Sequence, residues 1–117
     1  MTTFPNINRT AVIIVGKQPF YDWVNKVFPE DDPMTPNSVV EYNSYLLESY
    51  LYFEEPKEAL KNYWKTIFEN ELTEMCTDKN EWPEISWTLF NNYFHCHFSS
   101  MVFDLDKSRL KREVLEW

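Results

Sequence analysis

The chain has 117 residues, 19 Asp/Glu against 11 Lys/Arg, a formal net charge of −8 and 18% aromatic residues. A chain of this length can close one core without metal or disulfide staples, so a single domain over 1–117 is expected. An acidic surface repels the phosphate backbone that dominates nucleic-acid affinity, and no segment approaches the ~20 apolar residues that span a bilayer. Nucleic acid and membrane are therefore excluded as expected partners.

Met1-Thr2-Thr3-Phe4-Pro5-Asn6 has neither a basic region nor an apolar run, which predicts no secretory signal and a cytoplasmic protein with reduced thiols. Arg9 to Val15 is a β-branched run too short for a helix, and it predicts a buried strand ending at Gly16. Gly16 is the only glycine, which excludes the Gly-rich loops that cradle phosphates and the sharp turn that presents a nucleophile. Phe20, Trp23, Val24, Val27 and Phe28 follow one helical face, with Pro19 suited to the first turn. Pro29 stops that helix, and the prolines and acids up to Ser38 predict a solvated loop. From Val39 to Phe53 the pattern is ambiguous. Tyr45, Leu47, Leu51 and Phe53 fit a two-residue period and predict a strand centred on Tyr45-Leu46-Leu47; a short helix over Val39 to Leu47 is the rival.

Glu54-Glu55-Pro56 opens a long helix whose apolar face is Leu60, Tyr63, Trp64, Ile67, Phe68 and Met75. Thr77 to Glu84 reads as a polar loop, and Ser86 as the cap of a short helix through Phe94. His95 to Leu105 alternates with bulky residues on both sides, which predicts a central strand in a covered sheet. Lys107 to Trp117 has helical spacing at Leu110, Val114 and Trp117 and carries four cations, so it is expected to dock on the acidic body. The resulting class is α+β: a small mixed sheet of about three strands covered by two longer helices, in the order β-α-β-α-α-β-α.

Two stretches carry a resemblance. Asn8 to Asn25 contains Lys17-Gln18-Pro19-Phe20 and Asp22-Trp23, and Trp82 to Leu105 ends in Val102-Phe103-Asp104-Leu105. This strand–Lys-Gln-Pro-Phe–helix opening and Val-x-Asp-Leu close resemble a group of small bacterial proteins of uncharacterised function. The resemblance covers about half of the chain, leaves Pro29 to Phe53 unmatched, and implies a compact cytoplasmic bacterial protein. It carries over no catalytic residue.

No catalytic template fits. His95 and His97, the only histidines, lie two apart in a strand and share a face, but Zn²⁺ needs at least one more ligand and Cys96 points the other way. The expectation is no metal and no cofactor, with His95 and His97 as the alternative metal pair. Cys76 and Cys96 lack the spacing of a disulfide or redox motif. Glu54/Glu55 and Glu69/Glu71/Glu74 read as solvated surface rather than as an acid–base pair. Lys17 and Gln18, where a strand passes into a helix, are the candidate ligand-binding residues, because helix N-termini hold anions. Tyr50, Tyr52, Trp82 and Trp87, beside Glu30-Asp31-Asp32, form the candidate partner-binding surface. The expected function is a non-enzymatic module that binds a protein partner or its own copy, including the case of an inhibitor of a basic partner. The alternative is a small-ligand protein or enzyme with a site near Lys17, His95 and His97.

Overall fold

The computed structural model describes residues 3–49 and 55–116. Strand β1 (Arg9–Gly16) leads into helix α1 (Gln18–Val27), strand β2 (Asn43–Glu48), helices α2 (Trp64–Met75) and α3 (Trp87–Tyr93), and strand β3 (Phe94–Ser99). The strands form one antiparallel sheet in the order β2-β1-β3. The α+β class and the element order hold as far as β3. The sheet contains no parallel pair, where a mixed one was expected. The Tyr45-centred strand is β2, so the helical rival over Val39 to Leu47 is not what forms. No helix among the described residues is long and apolar enough to cross a membrane.

Burial alternates along β1, as one covered sheet face requires. Thr10, Val12, Ile14 and Gly16 face the helices, whereas Ala11, Ile13 and Val15 face away, with Ile13 39% exposed. Against the covered face lies an aromatic core. Phe94 of β3 approaches Phe20 of α1 to 4.8 Å between ring centroids, Phe90 of α3 to 5.4 Å and Phe68 of α2 edge-on at 5.6 Å. Phe68 and Phe90 are fully buried, and each such side chain stabilises the fold by roughly 1.5–3 kcal/mol relative to exposure. Ser86 caps α3 as its sequence predicts, its hydroxyl accepting from the Leu89 N–H at 3.1 Å.

Three expectations are corrected. The long second helix is broken: Pro56–Asn62 forms 3₁₀ turns that bury Ala59 and Leu60, Tyr63 leaves helical geometry, and α2 starts only at Trp64. β3 is an edge strand rather than a central one. Its inward side (Phe94, Cys96, Phe98) packs on the core while His95 and His97 meet solvent, and the bulky residues that suggested a covered strand lie beyond its end. There the chain pairs with the N-terminal segment instead, through Ile7 N–H to Val102 O at 2.8 Å and Asp104 N–H to Pro5 O at 2.9 Å. The C-terminal helix is not formed. Residues 107–116 carry no helix and are exposed, Leu110 by 69% and Val114 by 83%. Two turns with a sparse apolar row are too short to offset helix nucleation. The radius of gyration, 16.4 Å against about 13 Å for a compact chain of this length, reflects these outlying ends.

Candidate functional site

Lys17 directs its ammonium to the Asn91 carbonyl at 2.8 Å, where it satisfies the C-terminal end of α3, and its own N–H donates to Tyr93 O at 2.7 Å. Gln18 donates to Asp22 Oδ1 at 2.8 Å, one turn along α1. Lys57 reaches Asn91 Oδ1 at 2.7 Å, so both ammonium groups converge on Asn91. Beside it, burial pushes the Cys96 thiol up to about 11, against the pull of Lys57 and Lys17. His95 and His97 stand on the open sheet face opposite Val15 and Ile13, with ring centroids 6.5 Å apart. Among the described residues no group of three or more His, Cys, Asp or Glu could hold a metal ion, and no hydrogen bond joins Lys17 to either imidazole.

Of the aromatic candidates, Trp82 and Trp87 lie among the described residues. Trp87 stacks on Phe90 at 5.8 Å and is 38% exposed. Trp82 is half-buried against the core, its indole N–H donating to Cys76 O at 2.8 Å, so it is not the loose loop residue its neighbours suggest. Tyr50 and Tyr52 lie outside the described residues. An open cleft of about 610 Å³ runs between α1 and residues 80–83, past Trp23 and Trp82, but both indole N–H groups there are already bonded to backbone carbonyls.

A different polar constellation is assembled where α1, α2 and β2 meet. Glu71 is not solvated surface. It sits four residues after Ile67 and three after Phe68, on the buried face of α2, and is only 9% exposed. One carboxylate oxygen, Oε2, accepts from the Tyr45 hydroxyl at 2.5 Å and from Asn43 Nδ2 at 2.6 Å. Asn43 also donates to Glu74 Oε2 at 2.6 Å, and Asn70 donates to the Tyr45 oxygen at 2.8 Å. Burial raises the Glu71 pKa; the Tyr45 and Asn43 hydrogen bonds oppose that shift, and the charge of Glu74 adds to it. Burial, followed by the Glu71 charge, also pushes the Tyr45 phenol far up, so it remains a donor at any ordinary pH.

The sole glycine shapes the same place. A Cβ at Gly16 would stand 2.7 Å from the Tyr21 hydroxyl, so only glycine lets that ring lie against the strand. Tyr21 is 3% exposed and lines a cavity of about 80 Å³ together with Glu41, Tyr42, Asn43, Glu71 and Glu74. Burial first, then Tyr42 and Glu71, hold its phenol above the ordinary value. Glu74 and Met75 also line an adjoining groove of about 260 Å³, whose other walls include Phe28, Asp31, Asp32 and Met34. Among the described residues, five carboxylates, those of Asp31, Asp32, Glu41, Glu71 and Glu74, and no Lys or Arg line the two spaces around an apolar floor. Asp31 and Asp32 belong to the acidic loop singled out in the sequence; Glu71 was missed. Its signal was positional, an acid in the slot the apolar face of α2 should fill. The chain matches no protein-family model, no curated protein and no solved structure.

Proposed function

We propose that the protein is a non-enzymatic binding module that receives a basic segment of a partner protein in the groove between α1 and α2. The observation that carries this reading is the lining: five carboxylates without a neutralising cation, over a floor of Phe28, Met34 and Met75. Such a groove suits an extended or helical segment with alternating cationic and apolar side chains. Carboxylates left in a partly dehydrated cleft attract cations more strongly than the same groups on open surface. A module of this kind that covers a basic working surface of its partner would act as an inhibitor. A catalytic role has less support, since Glu71 and Tyr45 satisfy each other rather than a substrate position.

Titrating the full chain with a fluorescent Lys/Leu-rich peptide, and with its Glu/Leu counterpart, tests this. The basic peptide should bind, weaken at least tenfold between 50 mM and 500 mM salt, and weaken again in an Asp31→Asn/Asp32→Asn/Glu74→Gln variant. Equal binding of both peptides, or indifference to the triple substitution, would overturn the reading.

A further inference from the structure

We propose that Lys17 and Lys57 form a site for a phosphate monoester, held between their two ammonium groups beside Asn91. The inference goes beyond the basic-segment reading above and does not depend on it.

The first observation is the convergence of two like charges. Lys17 lies between β1 and α1, and Lys57 in the 3₁₀ turns before α2, yet both side chains end on one residue of α3. The Lys17 Nζ donates to the Asn91 carbonyl at 2.8 Å and the Lys57 Nζ to Asn91 Oδ1 at 2.7 Å. The amide of Asn91 is itself fixed, its Nδ2 donating to Trp87 O at 2.8 Å. The second observation is that this pair carries no counter-charge. Among the described residues no carboxylate forms an ion pair with either lysine, in a chain with 19 Asp/Glu. Asp22, on the first turns of α1, accepts from Gln18 at 2.8 Å. An ammonium has three donors, and each of these spends one on Asn91, so two remain on each lysine among the described residues. The field of the pair also reaches the Cys96 thiol, on which both lysines pull against burial. An entering anion would relieve the repulsion and take up the unspent donors.

Charge and shape set the ligand class. Two ammonium groups from separate elements act as point charges rather than as a planar fork, so they do not select the coplanar oxygens of a carboxylate. A phosphate monoester offers three acceptor oxygens in different directions. Above its second pKa of about 6 it also carries two negative charges, which match the pair. The net charge of −8 opposes a polyanion, but a single phosphate feels mainly the charges within about 8–10 Å at ordinary ionic strength. The source is either a free phosphate compound or a phosphorylated side chain, since both present the same group.

The probes are inorganic phosphate, N-acetyl-phosphoserine methylamide and the corresponding aspartate and serine derivatives, added to the full chain at constant ionic strength. Amide chemical shifts follow binding, and the alkylation rate of Cys96 at pH 9 gives an independent readout. A phosphate probe should shift residues 17, 57 and 91 saturably and bind at least threefold more tightly than the aspartate derivative, while the serine derivative has no effect. Once bound it should slow Cys96 alkylation at least twofold, because it cancels the charges that pull the thiol down. Lys57→Met, at an exposed position where the melting temperature should hold, should weaken phosphate at least threefold and abolish the protection of Cys96. Tighter binding of phosphoserine than of inorganic phosphate would support the site with a phosphorylated segment as its source, and the reverse order would support it with a free phosphate. A response no stronger than that to the aspartate derivative, shifts confined to other regions, or unchanged affinity in Lys57→Met would overturn the site. The basic peptide is measured separately, so the site and the groove stand or fall apart.

Discussion

Two polar junctions are built on opposite charges, one on Lys17 and Lys57 and the other on Glu71 and Glu74. At the Lys17 junction, two ammonium groups converge on Asn91: Lys17 donates to its carbonyl and Lys57 to its Oδ1, while the Asn91 amide donates to Trp87 O. At the Glu71 junction, Asn43 and Tyr45 spend their donors on Glu71 and Glu74, and the carboxylate acceptors outnumber them. Charge alone does not mark a site. The imbalance between donors and acceptors in a partly dehydrated space does, because that imbalance is what a ligand can relieve.

The largest effect that sharpens this contrast is expected from Tyr45→Phe. It removes the shortest donor from a buried carboxylate and should cost about 1.5–3 kcal/mol in urea unfolding. Lys17→Met removes a bond from a half-buried ammonium and should cost only about 0.5–1.5 kcal/mol. Equal losses would mean the two junctions carry equal structural weight, and the contrast would fail.

Protonation separates them next. Because the folded-state pKa of Glu71 is raised, the native state holds its proton to higher pH than the unfolded chain does. The contribution of this carboxyl is thus most favourable below its ordinary value of 4.5 and is lost as pH rises through the raised one. Glu71→Gln should flatten the stability profile just above that ordinary value; an unchanged slope would place the titration elsewhere. At the other junction, a thiol pushed up to about 11 is almost wholly protonated near neutrality. Alkylation of Cys96, followed by peptide mapping, should accelerate about tenfold for each pH unit between 7 and 10. Fast reaction at pH 7 would show that the two lysines act on the thiol in spite of their bonds to Asn91. The smallest effect is expected from ending the chain after Asp106, since residues 107–116 bury so little. The unfolding free energy should move by no more than about 0.5 kcal/mol.

Much of the scaffold was legible because local rules agreed with one another there. The β-branched run of β1, the 3–4 spacing of α1 and the Ser86 cap each pointed to the element that forms. The site was not legible, for a reason visible in α2. The apolar face taken from the sequence passed from Phe68 to Met75 without Leu72, and the acids between them read as solvated surface. Leu72 and Glu71 fill it, both buried, and the partners that make a buried Glu tolerable come from β2, whose own assignment was ambiguous. Pairing of Asn43 and Tyr45 with α2 is a tertiary fact that no window of sequence contains. The tail failed in the opposite way. Its spacing is helical, but periodicity predicts a helix only when some surface is there to receive the apolar row.

The sheet order has a consequence for how the molecule is made. The first strand synthesised is the central one, and its ladder with β3 joins Gly16 to Phe94 and Ala11 to Ser99, closing a loop of about two-thirds of the chain. Until the last third has left the ribosome, β1 has at least one unpaired edge and an apolar flank without its Phe94 cover. Contacts so distant in sequence slow folding and lengthen the time an aggregation-prone edge is available. Refolding from urea should therefore be slow for a domain of this size. Its yield should fall with protein concentration, and it should recover when a peptide covering β3 is added in trans to a chain that stops before Phe94.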